Sequence, residues 1–448
     1  MKKVLLIGCG DWAFSAHIPA IRANQNIQLI GIIDLSKRRD KVLNKLEISG
    51  VDFYSIADAC DSRAQAATDL ITDSLKKLED DLPDDIDGVI ISTYGLGHYP
   101  YIKWALSKRW HTLVDKPLTI VEDMAIDPSK APILVNHFTE FVNIAEANNL
   151  LFMIATQKRY SDIYNRIAQE VMTAQKLCKY DINSIQAFTS DGYFRNIIDC
   201  NFPAYGGKIK NTGYHILDIV PWIIRHTNPA IDTAIIQTSP LNYDRLAKIR
   251  NIPSTGISQS EAYASMQITF LDGLNSRCIF QFHAQHEGFS MKGRKKGREY
   301  SGPLEKSDIK KAYEGRTKEE EMRISLGPYL RIYYRRVAKI YDKDGVNLGE
   351  NNHLFYEISK SYPGVIPGDE YKYENIFYTD PESMPTEEFL LTLNKSKPSI
   401  EKVRSPVSDH IVSIKLFAGV YESMAKAYNG NYEPVYVKFK PKEWGSPP

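Results

Sequence analysis

Apolar positions along the chain follow two rhythms. Over the first 150 residues, short continuous aliphatic runs alternate with stretches in which apolar residues recur every three or four positions. The runs at 4–7, 29–33, 89–92 and 111–114 read as strands buried on both faces. Between them, Phe14, Ile18 and Ile21 predict a helix over about residues 11–23. Residues 36–46 and 55–85 read as helical, the second acidic at its end, and Ile102, Ala105 and Leu106 mark another helix. Strands alternating with helices predict a parallel sheet with crossover connections.

The rhythm changes after about residue 152. One more strand, 152–155, precedes a long helical pattern over 160–177. Gly206-Gly207 leads into an apolar helix at 213–224. From Ala262 the pattern alternates as in a sheet with one solvated face, and Asp272-Gly273 reads as the turn of a hairpin joining 262–271 to 275–284. Residues 291–323 hold 18 charged side chains in 33 positions and read as an exposed insertion. Strand-like pieces return at 329–341 and 374–378, then a late helix at 409–428 and a polar tail. No internal repeat stands out. The expected fold is α/β in two domains, 1–153 and 154–448, the second with an insertion at about 286–380.

Composition narrows the class. The 448 residues carry 56 Lys+Arg against 55 Asp+Glu, a balance that removes long-range capture of nucleic acid or anionic membrane as a leading function. No apolar run approaches the ~20 residues needed to span a bilayer. The apolar stretch after Lys3 is shorter than the roughly 7–15 residues of a leader, so a cytoplasmic protein is expected. Five cysteines, Cys9, Cys60, Cys178, Cys200 and Cys278, are odd in number and widely spaced, which indicates neither a disulfide framework nor a zinc site. His283-Ala284-Gln285-His286-Glu287 is not a metal-binding pattern on a strand, and no metal is assigned. The basic cluster 292–298 is balanced by Glu319-Glu320-Glu321 and reads as a solvated segment. Tyrosine is unevenly spread: four of 27 lie in residues 1–150 and 23 beyond, so the two halves have different tasks.

Candidate chemistry begins at Gly8-Cys9-Gly10-Asp11-Trp12-Ala13. Gly8 permits a tight turn after the strand, Gly10 lets a pyrophosphate approach the backbone, and Ala13 suits close packing of helix on strand. N–H groups at the helix start would face the phosphates. A second strand ends at Asp34, 24 residues after Gly10, where an acidic side chain would bind the adenosine ribose. NAD or NADP is therefore the expected cofactor. Asp34 favours NAD, because a carboxylate repels a 2′-phosphate; Lys37, Arg38 and Arg39 would instead hold that phosphate.

Four segments together resemble the Gfo/Idh/MocA oxidoreductases, relatives of glucose–fructose oxidoreductase and inositol dehydrogenase. They are Ile7-Gly8-Cys9-Gly10 with Ala16–Ala20; Ile91-Ser92-Thr93 with His98 and Ala105-Leu106; Val114-Asp115-Lys116-Pro117-Leu118; and Gly206-Gly207 through Gly213-Tyr214-His215 to Asp218 and Trp222. The third matches the family's Glu-Lys-Pro motif with Asp for Glu. The resemblance implies an N-terminal Rossmann dinucleotide-binding domain over 1–153 and a second, α+β domain over 154–448 with a large, mainly antiparallel open sheet. That sheet would carry the substrate and assembly surface, hence a homo-oligomer, dimer or tetramer, with a small polar molecule as substrate. It also implies a dehydrogenase or reductase acting on a hydroxyl or carbonyl of a sugar, cyclitol or related molecule. Lys116 would touch substrate and nicotinamide, and His215 would handle the proton. Thr93, His98 and Asp115 would join residues 8–13 and Asp34 at the cofactor. Arg159, Tyr160 and Asn211 would line the substrate site, with Tyr193 and Arg195 as lesser candidates. Asn211 stands where many relatives carry Asp. Either His215 alone then handles the proton, or the dehydrogenase activity is altered or lost. The resemblance also leaves open an NAD-dependent glycosidase-type enzyme with transient oxidation, and Asn211 with the large insertion leaves open a non-catalytic dinucleotide-sensing regulator.

Overall fold

Two separate sheets organise the chain. The computed structural model describes residues 1–46, 48–56, 64–191, 207, 209–227, 230–242, 261–273, 275–285, 317–341, 347–361, 370–377, 381–398 and 403–444. They form two units: the first takes Met1–Glu122, Pro132–Asp162 and Asp380–Ile414, the second Asp123–Ala131, Ile163–Thr379 and Lys415–Pro448.

The first unit holds six parallel strands, β1 (Lys2–Ile7), β2 (Ile27–Leu35), β3 (Asp52–Ile56), β4 (Gly88–Ile91), β5 (His111–Asp115) and β6 (Phe152–Ala155), in the order β3-β2-β1-β4-β5-β6. This is the doubly wound order of a dinucleotide-binding domain, with its switch point between β1 and β4. Val4, Leu5, Leu6 and Ile7 are fully buried, as are Val89, Ile90 and Ile91, which is why these strands read as unbroken apolar runs. Helices α1 (Ile18–Ala23), α2 (Arg39–Leu46), α3 (Ala64–Leu78), α4 (His98–Ser107) and α5 (Ile133–Ala147) connect them. β3 has no counterpart in the pattern and overlaps the helical reading of 55–85 only at Ser55 and Ile56: it is an edge strand with exposed Asp52 and Ser55, so it lacks the buried-strand signature.

The α5 histidine, His137, carries a pH dependence. Its ring packs 4.1 Å from that of Tyr99, and burial pushes its pKa from 6.5 down to about 4. Burial lowers His98 and His111 in the same direction. As pH falls below 6.5 the unfolded chain takes up these protons first, so stability is full above that value and declines toward about 4. Thermal unfolding midpoints are expected to drop across this window. His137→Phe, which keeps an aromatic ring against Tyr99, is expected to flatten part of the drop; an unchanged slope would refute the assignment.

In the second unit nine strands make one sheet: β7 (Ser184–Asp191), β8 (Thr233–Asn242), β9 (Glu261–Asp272), β10 (Asn275–Gln285), β11 (Thr317–Leu326), β12 (Leu330–Tyr341), β13 (Asn347–Lys360), β14 (Glu370–Phe377) and β15 (Val435–Lys438). Their order is β14-β13-β12-β11-β7-β10-β9-β8-β15, antiparallel throughout except for the β7–β10 pair. The β9–β10 hairpin turns at Asp272-Gly273, with Gly273 at φ 58°, as expected. Helices α6 (Asp162–Cys178) and α7 (Tyr214–Ile224) lie in this part of the chain. Tyr164 of α6 meets Tyr334 of β12, and Gly213, just before α7, lies close to Phe282 of β10.

Two corrections follow. Residues 317–377 are not an insertion outside the fold: their described part supplies four strands of this sheet. Met322, Ile324, Leu326, Ile332 and Tyr334 are buried at alternate positions, and the interleaved charges Arg323, Arg331 and Arg335 hide that period-two signal. Residues 286–316 lie outside the described ones. The segment after 428 is not only a polar tail, since it contains β15, the edge partner of β8.

Helix α8 (Met384–Leu393) returns to the first unit, so the domains are not divided by one cut near residue 153. Its Phe389, Leu390 and Leu393 join the core formed by Val4, Leu6, Ile21 and Ile90. Helix α9 (Ile411–Tyr428) then leads back to the second unit, where its Gly419 lies against Ile236, Val435 and Val437.

Candidate active site

Gly8 closes the turn after β1. Its N–H donates to Ile33 O at 2.8 Å, its φ is +82°, and a Cβ there would sit 2.4 Å from Ser92 O. Only glycine satisfies both demands. At Gly10 the opposite holds: a Cβ would meet nothing within 4 Å. Residues 11–23 are continuously helical, with a π-helical centre at Ala13–His17. Ala13 is fully buried, as close helix–strand packing requires, while Asp11 is exposed at the rim. Thr93, beyond β4, brings its methyl against Gly8, and its buried Oγ1 has no hydrogen-bond partner among the described residues. Open space over Gly10, the helix start and an unpartnered Thr93 hydroxyl fit a bound dinucleotide at the switch point.

Asp34 ends β2 beside this turn, nearly buried. Its Oδ2 accepts from Cys9 N at 2.9 Å and its Oδ1 from Leu35 N at 2.7 Å. Arg38 approaches the same Oδ2 at 3.5 Å and donates to Cys9 O at 2.9 Å. Burial and the Asp34 charge push the Cys9 thiol up to about 12, so it is inert.

Asp115, at the end of β5, gathers three donors. Trp12 Nε1 donates to its Oδ1 at 3.2 Å, His17 Nε2 to the same oxygen at 3.1 Å, and Ser92 Oγ to its Oδ2 at 2.6 Å. Burial opposes ionisation, but the His17 ring and the hydrogen bonds outweigh it and hold the carboxyl below its ordinary value. With its proton on Nε2, His17 accepts from Thr386 Oγ1 of α8 at 2.7 Å. The network ties the phosphate turn, β4, β5 and the returning helix together beside Lys116. His98, fully buried at the start of α4, faces Pro117 O at 3.0 Å and Leu118 O at 3.2 Å through Nδ1, and Thr93 O at 3.1 Å through Nε2. Both ring nitrogens of His98 and both oxygens of Asp115 are thus engaged within the protein.

Arg159 and Tyr160 are buried in the first unit. Arg159 Nη2 lies 3.1 Å from His410 Nδ1, and Tyr160 OH donates to Glu388 Oε2 at 2.6 Å. These contacts fasten the returning segment. His215, the second residue of α7, belongs to the second unit, on a helix buried throughout its length. A second π-helix, Ile209–Gly213, immediately precedes it and contains Asn211, whose side chain lies outside the described ones, as do Tyr193 and Arg195. The first unit therefore brings Gly8, Gly10, Asp11, Trp12, Ala13, Asp34, Thr93, Asp115 and Lys116 to one sheet edge, and the second carries His215 and Asn211. Sequence reasoning missed His17, Ser92 and Thr386 as members of the site.

This fold and sheet edge define a dinucleotide-binding oxidoreductase class. Residues 2–131 match the Gfo/Idh/MocA family described as "Oxidoreductase family, NAD-binding Rossmann fold". No curated protein matches the sequence. Among solved structures, the chain is similar to an oxidoreductase from Agrobacterium radiobacter in complex with NAD+, L-tartaric acid and magnesium (14% identity, 98% of each chain covered, TM-score 0.56). It is also similar to scyllo-inositol dehydrogenase from Lactobacillus casei with bound NAD(H) and scyllo-inositol (15%, 98% of this chain and 99% of that chain, TM-score 0.56). A mutant 3-ketoreductase from Actinomadura kijaniata, in complex with TDP-benzene and NADP, matches at 16%, covering 94% of this chain and 96% of that chain, with TM-score 0.56. These likenesses establish the two-domain fold. Among the described residues, no helix is long and apolar enough to cross a membrane.

Proposed function

We propose that this protein transfers a hydride between a nicotinamide dinucleotide and a hydroxyl or carbonyl carbon of a sugar, cyclitol or related small polar substrate. The observation that carries this reading is the sequence of strand ends at one sheet edge: the glycine turn after β1, Asp34 as the penultimate residue of β2, Thr93 after β4 and Lys116 after β5. When bound, the dinucleotide supplies the hydride chemistry. Lys116 donates a charged hydrogen bond to the reacting oxygen and stabilises negative charge there. His215 takes the hydroxyl proton on its imidazole during oxidation and returns it during reduction. The resemblance to the Gfo/Idh/MocA oxidoreductases leads us to expect a homo-oligomer through the second sheet.

Purified protein is expected to bind a nicotinamide dinucleotide and to change nicotinamide absorbance with at least one member of a polyol, sugar and ketose panel. His215→Ala is expected to lower that turnover by about 10²–10⁴-fold. Wild-type turnover by this variant would remove His215 from the mechanism, and absence of dinucleotide binding would remove the reading as a whole. Light scattering on the same preparation tests the oligomer: a monomeric mass would overturn it.

A further inference from the structure

A pocket of about 180 Å³ opens within the second unit, at the end of the sheet that carries the Asp272-Gly273 turn. Gln175 near the end of α6, Ile224 at the end of α7 and Cys278 near the start of β10 contribute to its wall. His215 stands at the opposite end of α7, so the pocket is distinct from the proton-transfer site. At about 30 Å³ per water it has room for about six waters, or for a compact ligand of roughly six to ten non-hydrogen atoms.

Two charged side chains line this pocket, and they do not pair with each other. Arg277 Nη2 donates to Asp272 Oδ2 at 2.5 Å, while among the described residues Asp181 makes no ion pair. The half-buried Asp181 carboxylate is hydrogen-bonded by Gln175, a neutral amide, and feels Arg277 from farther away. Burial outweighs both and raises its pKa. A desolvated carboxylate with a neutral partner lacks a compensating cation. It also keeps about three of its four acceptor positions. Arg277 is 46% accessible, and its bond to Asp272 leaves several of its roughly five donors for a second acceptor.

The rest of the wall is apolar. Ile182, Ile224, Ile231 and Cys278 are buried. Burial pushes the Cys278 thiol up to about 12, so it stays neutral and unreactive. The Thr227 hydroxyl donates to Ile224 O at 2.7 Å and is satisfied within the protein.

We propose that this pocket binds a small aliphatic α-amino acid. Its ammonium would meet Asp181, its carboxylate Arg277, and its side chain the isoleucine wall. A sugar or polyol brings no cation for Asp181 and no hydrocarbon for that wall. A simple amine leaves the remaining Arg277 donors unmatched. The site needs no dinucleotide and does not rest on hydride transfer.

The test is isothermal calorimetry on the full chain, without dinucleotide, using L-alanine, L-valine and L-leucine. L-Valine is expected to bind with a Kd of about 1 mM or below. Isobutylamine is valine without its carboxylate, and isovalerate is valine without its ammonium. Each is expected to bind at least about tenfold more weakly, the scale of one charge-assisted contact. Asp181→Asn keeps the shape of the side chain and removes its charge, and is expected to weaken L-valine by about tenfold or more. Absence of binding by all three amino acids at about 10 mM would overturn the site. So would either fragment binding as tightly as L-valine, or an unaltered affinity in Asp181→Asn. Should that variant not fold, the fragment comparison on the wild-type chain decides. Dinucleotide titration of the same preparation reports separately on the function proposed above.

Discussion

Gly10→Ala is expected to abolish detectable dinucleotide binding in a protein whose thermal unfolding midpoint stays within a few degrees of wild type. A Cβ at Gly10 meets nothing within 4 Å, and Gly10 is not among the glycines with positive φ, so alanine fits the folded chain without strain. The space it fills is where a pyrophosphate must approach the backbone. Gly8→Ala is the control with the opposite signature. Its φ of +82° is unfavourable for alanine, and its Cβ would lie 2.4 Å from Ser92 O and 2.7 Å from Thr93 Cγ2. A backbone oxygen at the end of a central strand, just past β4, cannot retreat cheaply, so Gly8→Ala is expected to cost about 3 kcal/mol or more of stability. Differential scanning calorimetry and dinucleotide titration on both variants separate the two roles. A Gly10→Ala protein that binds like wild type would show that the turn is not a phosphate cradle.

This pair also shows how much of the fold was legible beforehand. The first sheet was readable because its strands are buried on both faces, and the turn was readable because glycine spacing encodes local geometry. The hairpin at Asp272-Gly273 was readable for the same local reason. β11 to β14 were not, because charge-rich alternation hides a one-sided sheet: Glu320 and Arg336 are themselves buried and directly opposed in register, where composition suggests solvent. α8 was invisible as part of the first domain, because nothing near residue 384 states that Phe389 will pack beside Val4.

At the site, spacing pointed to Gly8, Gly10, Asp34 and Lys116, all of which lie on one sheet edge. It did not show the partners of Arg159 and Tyr160, since His410 and Glu388 are more than 200 residues away in sequence. His17 was missed for the same reason: its two contacts, Asp115 and Thr386, come from distant strands and helices. Long-range polar networks follow from the fold, and no local pattern announces them.

Lys116→Ala is expected to lower kcat/KM by about 10³-fold, which is about 4 kcal/mol of transition-state stabilisation. The size of the effect follows from how firmly the residue is placed. On one side Asp115 is held by Trp12, His17 and Ser92; on the other, Pro117 and Leu118 carbonyls face the buried His98 ring. A lysine fixed on both sides presents its ammonium without further ordering, and that preorganisation is what makes a charged donor effective. Truncation removes the donor and leaves the scaffold, so the loss should fall mainly on kcat while dinucleotide affinity changes by less than about tenfold. Lys116→Arg is not expected to rescue, because a planar fork on a longer stem cannot put one donor at the same point. Steady-state kinetics with an identified substrate, together with dinucleotide titration, provide both readouts. Wild-type kcat in Lys116→Ala would exclude the lysine from the chemistry. An equal loss of dinucleotide binding would assign it to the cofactor instead of the reacting oxygen.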